Sequence, residues 1–465
     1  MAFNSLAYLC FLPIVVLLYQ ILPGKIKPYF LLVASYFFYA CSSWKLLFLI
    51  FSTTLASYLF AIWIHHAERL WIRRLLLVSC LVLLFGSLFI FKYLNFFAES
   101  VVNLIHLFGG KATFSPFSIL LPVGISFYTF QTLSYVIDVY RKDSLPVYQF
   151  FHYALFVSFF PQLVAGPIER ADDLLPQLLS AKRLDVEHAL KASRYLVSGY
   201  VKKIAIADIL AVFVNRVYSD LPSSSGFSIL LATLFFYGQI YCDFSGYCDI
   251  AKGSAYLFSV ELSENFDRPY LADSMSDFYR RWHVSLGRWF RDYLYIPLGG
   301  NRHGKLRQLL ATFLVFFFSG LWHGANWTFV LWGLFCGVFV MVSGLFKGHE
   351  RKWFYVPLTF FLVLVSWIFF RCQSVTEIGI CLTRIFTSFV SGTGLESFHD
   401  GFYLFYCVAA FSLIVFVDRL PFISLDESKG IMDCALYVSL VVLVVFASVY
   451  LSTNHLGGGF IYFQF

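Results

Sequence analysis

The sequence predicts an all-α integral membrane protein that crosses the bilayer many times, and three observations carry that prediction. Apolar residues make up 59% of the chain and charged residues only 13%, about half the charge of a soluble domain. Mean hydropathy is +0.74, so most of the 465 residues must meet lipid or pack against segments that do. The apolar residues gather into thirteen runs, and the lysines and arginines fall in the short loops between them, where topology signals and lipid headgroups account for them.

The runs lie near 5–22, 29–43, 46–64, 75–95, 118–138, 149–166, 194–215, 226–245, 308–322, 327–346, 353–371, 401–418 and 434–451. The first has no basic residues before it and no small-residue cleavage site after it, so it is expected to stay as a transmembrane helix. Some runs fall short of the roughly 20 residues needed to cross hydrocarbon. The expectation is therefore 11–13 spans plus re-entrant and interfacial helices around a central tunnel. Lys25 and Lys27, then Arg69, Arg73 and Arg74, then Arg141 and Lys142 follow odd-numbered runs, which puts the N-terminus outside. The C-terminus is also expected outside. Between 149 and 190, Pro161, Pro167 and Pro176 interrupt the pattern. A re-entrant element dipping toward the functional site is expected there, against an ordinary outward loop as the alternative.

After the eighth run comes YCDFSGYCDIAKG, which places Asp243, Ser245 and Asp249 near the membrane boundary. Acidic groups at that depth are partnered or line a wet cavity. They are expected either to shape a tunnel or, the favoured reading, to pair with Arg280 or Arg281. The ten cysteines sit mostly inside apolar runs without a CxxC pair, so neither a metal site nor a disulfide is expected. The net charge of +7 belongs to the loops and points to the lipid bilayer as partner, with no nucleic acid.

The stretch at 277–328 concentrates the polar chemistry. Wound as one helix, 277–293 places Phe278, Trp282, Leu286, Trp289 and Tyr293 on one face and Arg280, Arg281, Arg288 and Arg291 on the other. That pattern suits a helix lying in the membrane interface. His283 falls at the edge of the aromatic face. Beyond Gly299-Gly300, a basic loop at 301–307 leads into an apolar run ending at His323, in GLWHGANW. A histidine there is costly, because hydrocarbon tolerates neither its charge nor an unpaired ring nitrogen. Its function-bearing reading competes with a packed histidine bonded to a backbone carbonyl. Gly320 and Gly324 allow close approach, while Trp322, Asn326 and Trp327 supply walls and an amide.

WHVSLGRWFRDYLYIPLGGNR followed by GLWHGANWTFVLWG, with LPVGISFYTFQTLSYVIDVYR and FFPQLVAGPIER upstream, resembles the membrane-bound O-acyltransferase family. The likeness is to its bacterial branch of alginate and peptidoglycan O-acetyltransferases and, further off, to teichoic-acid D-alanyl transferases. The resemblance implies one transmembrane domain over 1–465, with 277–328 as its catalytic region and 452–465 as a flexible outer tail. It implies His323 as the catalytic base and His283 as the second histidine of the motif. Tunnel or substrate-lining roles go to Trp322, Asn326, Trp327, Asn301 and Asp243. The donor is acetyl-CoA, with no permanently bound cofactor and no metal. Arg288, Arg291 and Arg302 are candidates for its phosphates, although headgroup contact explains the same arginines equally well. The tail ends in aromatic residues with a single phenol, Tyr462. It resembles the tail of the small partner protein in D-alanylation, so Tyr462 is a candidate acyl relay.

Acyl transfer from a thioester needs a base for the acceptor hydroxyl, donors for the developing oxyanion, and exclusion of water. A histidine near neutrality suits the first task. No GxSxG, Walker-type loop, HExxH or GxGxxG competes. The expected activity is O-acetylation of an exported cell-envelope polysaccharide, alginate, peptidoglycan or similar, from the bacterial inner membrane. No soluble domain is large enough to grip a polymer, so a periplasmic partner of the SGNH-esterase type is implied. D-alanyl transfer is the alternative within the enzyme class. A small-molecule transporter is the rival outside it, disfavoured because no repeat and no series of paired intramembrane charges is seen.

Overall fold

The computed structural model describes residues 1–164, 166–343, 352–389, 391, 401–420 and 427–453. Among the described residues the regular elements are all helices, and an isolated antiparallel bridge pairs Phe266 with Trp282. The chain folds as two compact units. The first covers 7–184 with 258–262, the second 2–6, 185–257 and 263–465.

The first unit contains α1 (Leu6–Ile21), α2 (Lys27–Ala40), α3 (Trp44–His66) and α4 (Leu70–Leu88), which runs through a π turn into α5 (Leu94–Leu107). It continues with α6 (Ile125–Arg141), α7 (Phe150–Ser158), α8 (Phe160–Leu163) and α9 (Ala171–Ser180). Helix α6 is buried along nearly all its length. Its neighbours α3 and α7 are tied by a buried 2.8 Å hydrogen bond between Ser57 and Tyr153.

In the second unit, α10 (Val186–Tyr200) passes through a π-helical stretch, Val201–Ala207, into α11 (Asp208–Ser219). Next come the 31-residue α12 (Gly226–Tyr256), then α13 (Met275–Arg281) and α14 (Val284–Phe290). The hairpin α15 (Lys305–His323) and α16 (Trp327–Ser343) follows, then α17 (Lys352–Arg371), α18 (Val375–Thr387), α19 (Gly401–Val417) and α20 (Glu427–Thr453).

The long α12 is the core of this unit, and 78% of its most apolar window is buried despite the polar residues it carries. Those residues are satisfied from the π-helical stretch. Lys203 Nζ lies 2.6 Å from Asp243 and 2.8 Å from Asp208, and Lys202 Nζ lies 2.9 Å from both Asp249 and Asp418. Charges withdrawn from water are tolerated only when paired and hydrogen-bonded in this way. The expected pairing of Asp243 or Asp249 with Arg280 or Arg281 is therefore corrected: Arg281 holds Asp277 at 2.8 Å and Asp267 at 3.7 Å. Lysines of the π-helical stretch packed beside α12 reach the buried carboxylates directly, whereas Arg280 stays exposed.

Six helices among the described residues are long and apolar enough to cross a membrane, and Leu6–Ile21, Trp327–Ser343 and Leu404–Val417 are shorter apolar helices. The chain is thus an all-α multi-pass membrane protein, and several of its apolar runs are not single continuous helices. The run at 149–166 breaks at Phe159 into helices of nine and four residues, with Pro161 in the first turn of the second. The run at 194–215 is interrupted by the lysine-bearing π stretch. The run at 118–138 begins as non-helical chain and becomes helix only at Ile125.

Candidate active site

The amphipathic stretch expected as one helix over 277–293 is two helices joined at a break, which corrects the sequence reading. Helix α13 ends at Arg281, His283 adopts a left-handed backbone with φ of +48°, and α14 starts at Val284. A non-glycine residue there is strained, so the surroundings must hold it. Asn265 does so from a distant part of the chain. Its backbone carbonyl accepts the Val284 N–H at 3.0 Å, and its side-chain oxygen accepts the Ser285 N–H at 3.0 Å and the Ser285 hydroxyl at 2.9 Å. The same oxygen lies 3.3 Å from His283 Nδ1. Because a backbone N–H can only donate, that Asn265 atom is the oxygen, and Nδ1 of His283 is the protonated ring nitrogen. Burial pushes the pKa of His283 down to about 3, leaving the imidazole neutral at physiological pH. The amphipathic faces survive the break: Phe278, Trp282, Leu286 and Trp289 are buried, and Arg280, Arg288 and Arg291 are exposed.

His323 is the last residue of α15 and is 5% exposed. Its ring meets those of Trp322, Trp332 and Phe370 edge to face at 5.1, 5.0 and 5.4 Å. Trp322 stands 5.7 Å from the ring of His283 and so touches both imidazoles. Two features of the hairpin fix this placement. Gly320 and Gly333 bring α15 and α16 together closely enough that a Cβ on either would overlap the opposing backbone. Asn326 caps α16, its side-chain oxygen accepting the Thr328 N–H at 3.1 Å while its amide donates to the Gln373 carbonyl at 2.6 Å.

Both histidines line one cavity of about 940 Å³. On its α15 wall, Lys305, Gln308, Leu309, Thr312, Val315, Phe316, Ser319 and His323 recur every three or four residues. The cavity therefore follows one face of that helix for its whole length, about 27 Å at 1.5 Å per residue. Exposed cations, Arg280, Arg288, Arg291 and Lys305, stand on its wall, as do the buried Trp282, His283, His323 and Trp332. Arg291 is partly neutralised by Asp292, 2.7 Å away.

The remaining candidates lie off the wall of this cavity. Trp322 is buried against both histidine rings, Trp327 is 52% exposed, and Asn301 and Arg302 are exposed beyond Gly299-Gly300. Asp243 belongs to the lysine cluster of α12, and Tyr462 lies outside the described residues. Sequence reasoning missed Asn265 and Trp332. Asn265 sits 18 residues before His283 and reaches it through the isolated Phe266–Trp282 bridge, for which no periodic pattern gives warning. Trp332 could have been found as the α16 residue facing back toward His323 once the two runs were folded as a hairpin.

A multi-pass helical protein with paired buried histidines on a cavity walled by aromatic and basic residues has the makings of a membrane acyl-transfer enzyme. The chain belongs to the membrane-bound O-acyltransferase family, whose sequence pattern matches residues 8–382, and it is an O-acyltransferase. It is 36% identical over 385 residues to the probable alginate O-acetylase of Pseudomonas aeruginosa, covering 80% of this chain and 72% of that one. It is 36% identical over 411 residues to the peptidoglycan O-acetyltransferase of Helicobacter pylori, covering 80% and 77%. The teichoic acid D-alanyltransferase of Bacillus subtilis is 27% identical over 276 residues, covering 55% and 68%.

Proposed function

We propose that this enzyme takes acetyl from cytoplasmic acetyl-CoA and delivers it, at the inner membrane, to the outward side for O-acetylation of an exported polysaccharide such as alginate or peptidoglycan. The observation that carries the proposal is the cavity that joins exposed cations to two buried histidines along α15. A long ligand with an anionic head and a neutral reactive tip matches that layout. The nucleotide phosphates would meet Arg288, Arg291 and Lys305, and the thioester would lie beside His323. An imidazole there takes the proton of an incoming hydroxyl as its oxygen attacks the thioester carbonyl. His283, neutral and oriented by Asn265, positions substrate from the same wall. The aromatic surroundings keep out the water that would hydrolyse the donor.

The N- and C-termini lie on the periplasmic side in this reading, and an SGNH-esterase-like periplasmic partner carries the acetyl group to the polymer. Tyr462 is a candidate relay between the two. The relatives named for O-acetylation match a larger share of this chain than the D-alanyltransferase does, which favours acetyl over D-alanyl as the group moved. The test is mass spectrometry of acetyl esters on each envelope polysaccharide in cells that carry only a His323→Gln enzyme, together with thiol release from acetyl-CoA by their membranes. Both signals should vanish. Full acetylation by the variant would overturn the assignment.

A further inference from the structure

Acyl transfer creates a negative charge on the carbonyl oxygen that a fixed donor must meet. As the hydroxyl oxygen adds to the acyl carbonyl, the carbonyl oxygen becomes an oxyanion in a chamber sheltered from water, and a fixed donor stabilises it far more effectively there than in solution. Trp332 carries a donor with the right credentials. It is 1% exposed, it lines the cavity, and its ring stands edge to face with His323, centroids 5.0 Å apart and planes at 87°. Its Nε1–H has no hydrogen-bond partner among the described residues, although a buried indole N–H normally finds one. Trp367 has the same unpartnered N–H but does not line the cavity. The Trp332 ring cannot easily turn away, since it is stacked against Trp367 at 6.3 Å and 18° and set against Phe370 at 5.3 Å.

We propose that Trp332 is a catalytic residue whose Nε1–H donates to the oxyanion of the tetrahedral intermediate. The inference rests on the reading of this cavity as the acyl-transfer chamber. The acceptor hydroxyl loses its proton to His323 while its oxygen bonds to the thioester carbon. The C=O electron pair moves onto oxygen, where Trp332 meets it. Collapse re-forms C=O, breaks the C–S bond and expels a thiolate, which takes the proton back from the imidazolium. The products are an ester and a free thiol, with no other reactant needed.

The test compares membranes carrying Trp332→Phe, and Trp332 replaced by 3-benzothienylalanine, which keeps the two-ring shape but has sulfur in place of N–H. Acetyl transfer from acetyl-CoA is followed as kcat and as donor KM, with His323→Gln alongside. Loss of one oxyanion donor costs about 100-fold in kcat or more, and KM should move less than about twofold because the donor acts on a charge absent from the bound thioester. The benzothienyl variant decides the matter if Trp332→Phe does not accumulate. Unchanged kcat in the benzothienyl enzyme with an inactive His323→Gln enzyme overturns this inference alone. An active His323→Gln enzyme overturns the chamber assignment beneath it.

Discussion

Replacing Gly333 by Ala should damage catalysis through geometry alone, without touching a reactive group. A Cβ at Gly333 would stand under 3.0 Å from the Phe316 carbonyl oxygen and 3.2 Å from the Gly320 Cα and N, all of them backbone atoms that cannot rotate aside. Ordinary contact begins near 3.4 Å, so α15 and α16 must part by at least about 0.4 Å, with overpacking worth about 1–3 kcal/mol. Part of that is offset by the roughly 1 kcal/mol that Ala gains over Gly in a helix. The opening falls between His323, one turn beyond Gly320, and Trp332, the residue beside Gly333. If a 1 Å misplacement costs on the order of 100-fold, this one should lower kcat by at least about fivefold. The assay is thiol release from acetyl-CoA by membranes with matched enzyme content, with a thermal melt in detergent. Gly379→Ala is the control, since that glycine is exposed on α18 with no atom within 4 Å of its added Cβ; it should keep full activity and melt slightly higher. A Gly333→Ala enzyme that behaves like this control would refute the close-packed hairpin as the device that sets the site.

Arg288→Gln combined with Arg291→Gln should raise the donor KM, with kcat nearly unchanged; the effect should shrink at high salt, and unaltered donor kinetics would remove both arginines from the phosphate site. Lys203→Met should destabilise the second unit by about 3–5 kcal/mol because Asp208 and Asp243 are left buried without their cation, while Lys203→Met with Asp243→Asn and Asp208→Asn should recover much of it, read from melts in detergent. His283 takes its proton near pH 3 when folded and near 6.5 when unfolded, so its contribution is complete above pH 6.5 and is lost as pH falls toward 3. Wild-type enzyme should therefore melt progressively lower over that window, and His283→Gln should flatten the decline; identical slopes would show that His283 is not held neutral. Tyr462→Phe should lower transfer to polymer and thiol release together if the phenol is a relay, since the thiol leaves only as a hydroxyl takes the acetyl group, and unchanged transfer would end that role.

The parts of this protein that follow from local pattern were readable in its sequence. Apolar runs, loop cations and the two-faced distribution at 277–293 follow from side-chain chemistry over neighbouring residues, and the buried and exposed faces came out as their periodicity requires except at Arg281 and Tyr293, which are half-buried. His323 was legible for a related reason: an imidazole at the end of a long apolar run has few places to go. What escaped notice depends on residues distant in the chain. The break at His283 is imposed by Asn265, and nothing in WHVS itself announces a left-handed residue. The partners of Asp243 and Asp249 were misassigned because Lys202 and Lys203 lie inside an apolar run, where lysines at membrane depth read as loop signals and not as counter-ions. The places where single helices break also escaped notice, because an apolar run tells how greasy a segment is, not whether its helix is continuous.

The break and the hairpin are two answers to one mechanical demand. An imidazole within a straight helix can reach only what its own face presents, and its neighbours one turn away compete for that space. Here His283 stands between two helices and His323 ends another, so each ring leaves its backbone where the helical surface gives out. Both can then address the same cavity with Trp322 between them. The cost is a strained residue and two uncovered helix termini, and the sequence compensates with the Asn265 cradle at one and the Asn326 cap after the other. It follows that Asn265→Ala should act chiefly through His283, depressing kcat and relaxing the backbone at residue 283, whereas Asn326→Ala should act through the register of α16 and therefore through Trp332. Combined, the two variants should multiply in their effect on kcat if the histidines are positioned independently. A combined loss no greater than the larger single one would show instead that the two supports hold a single rigid unit.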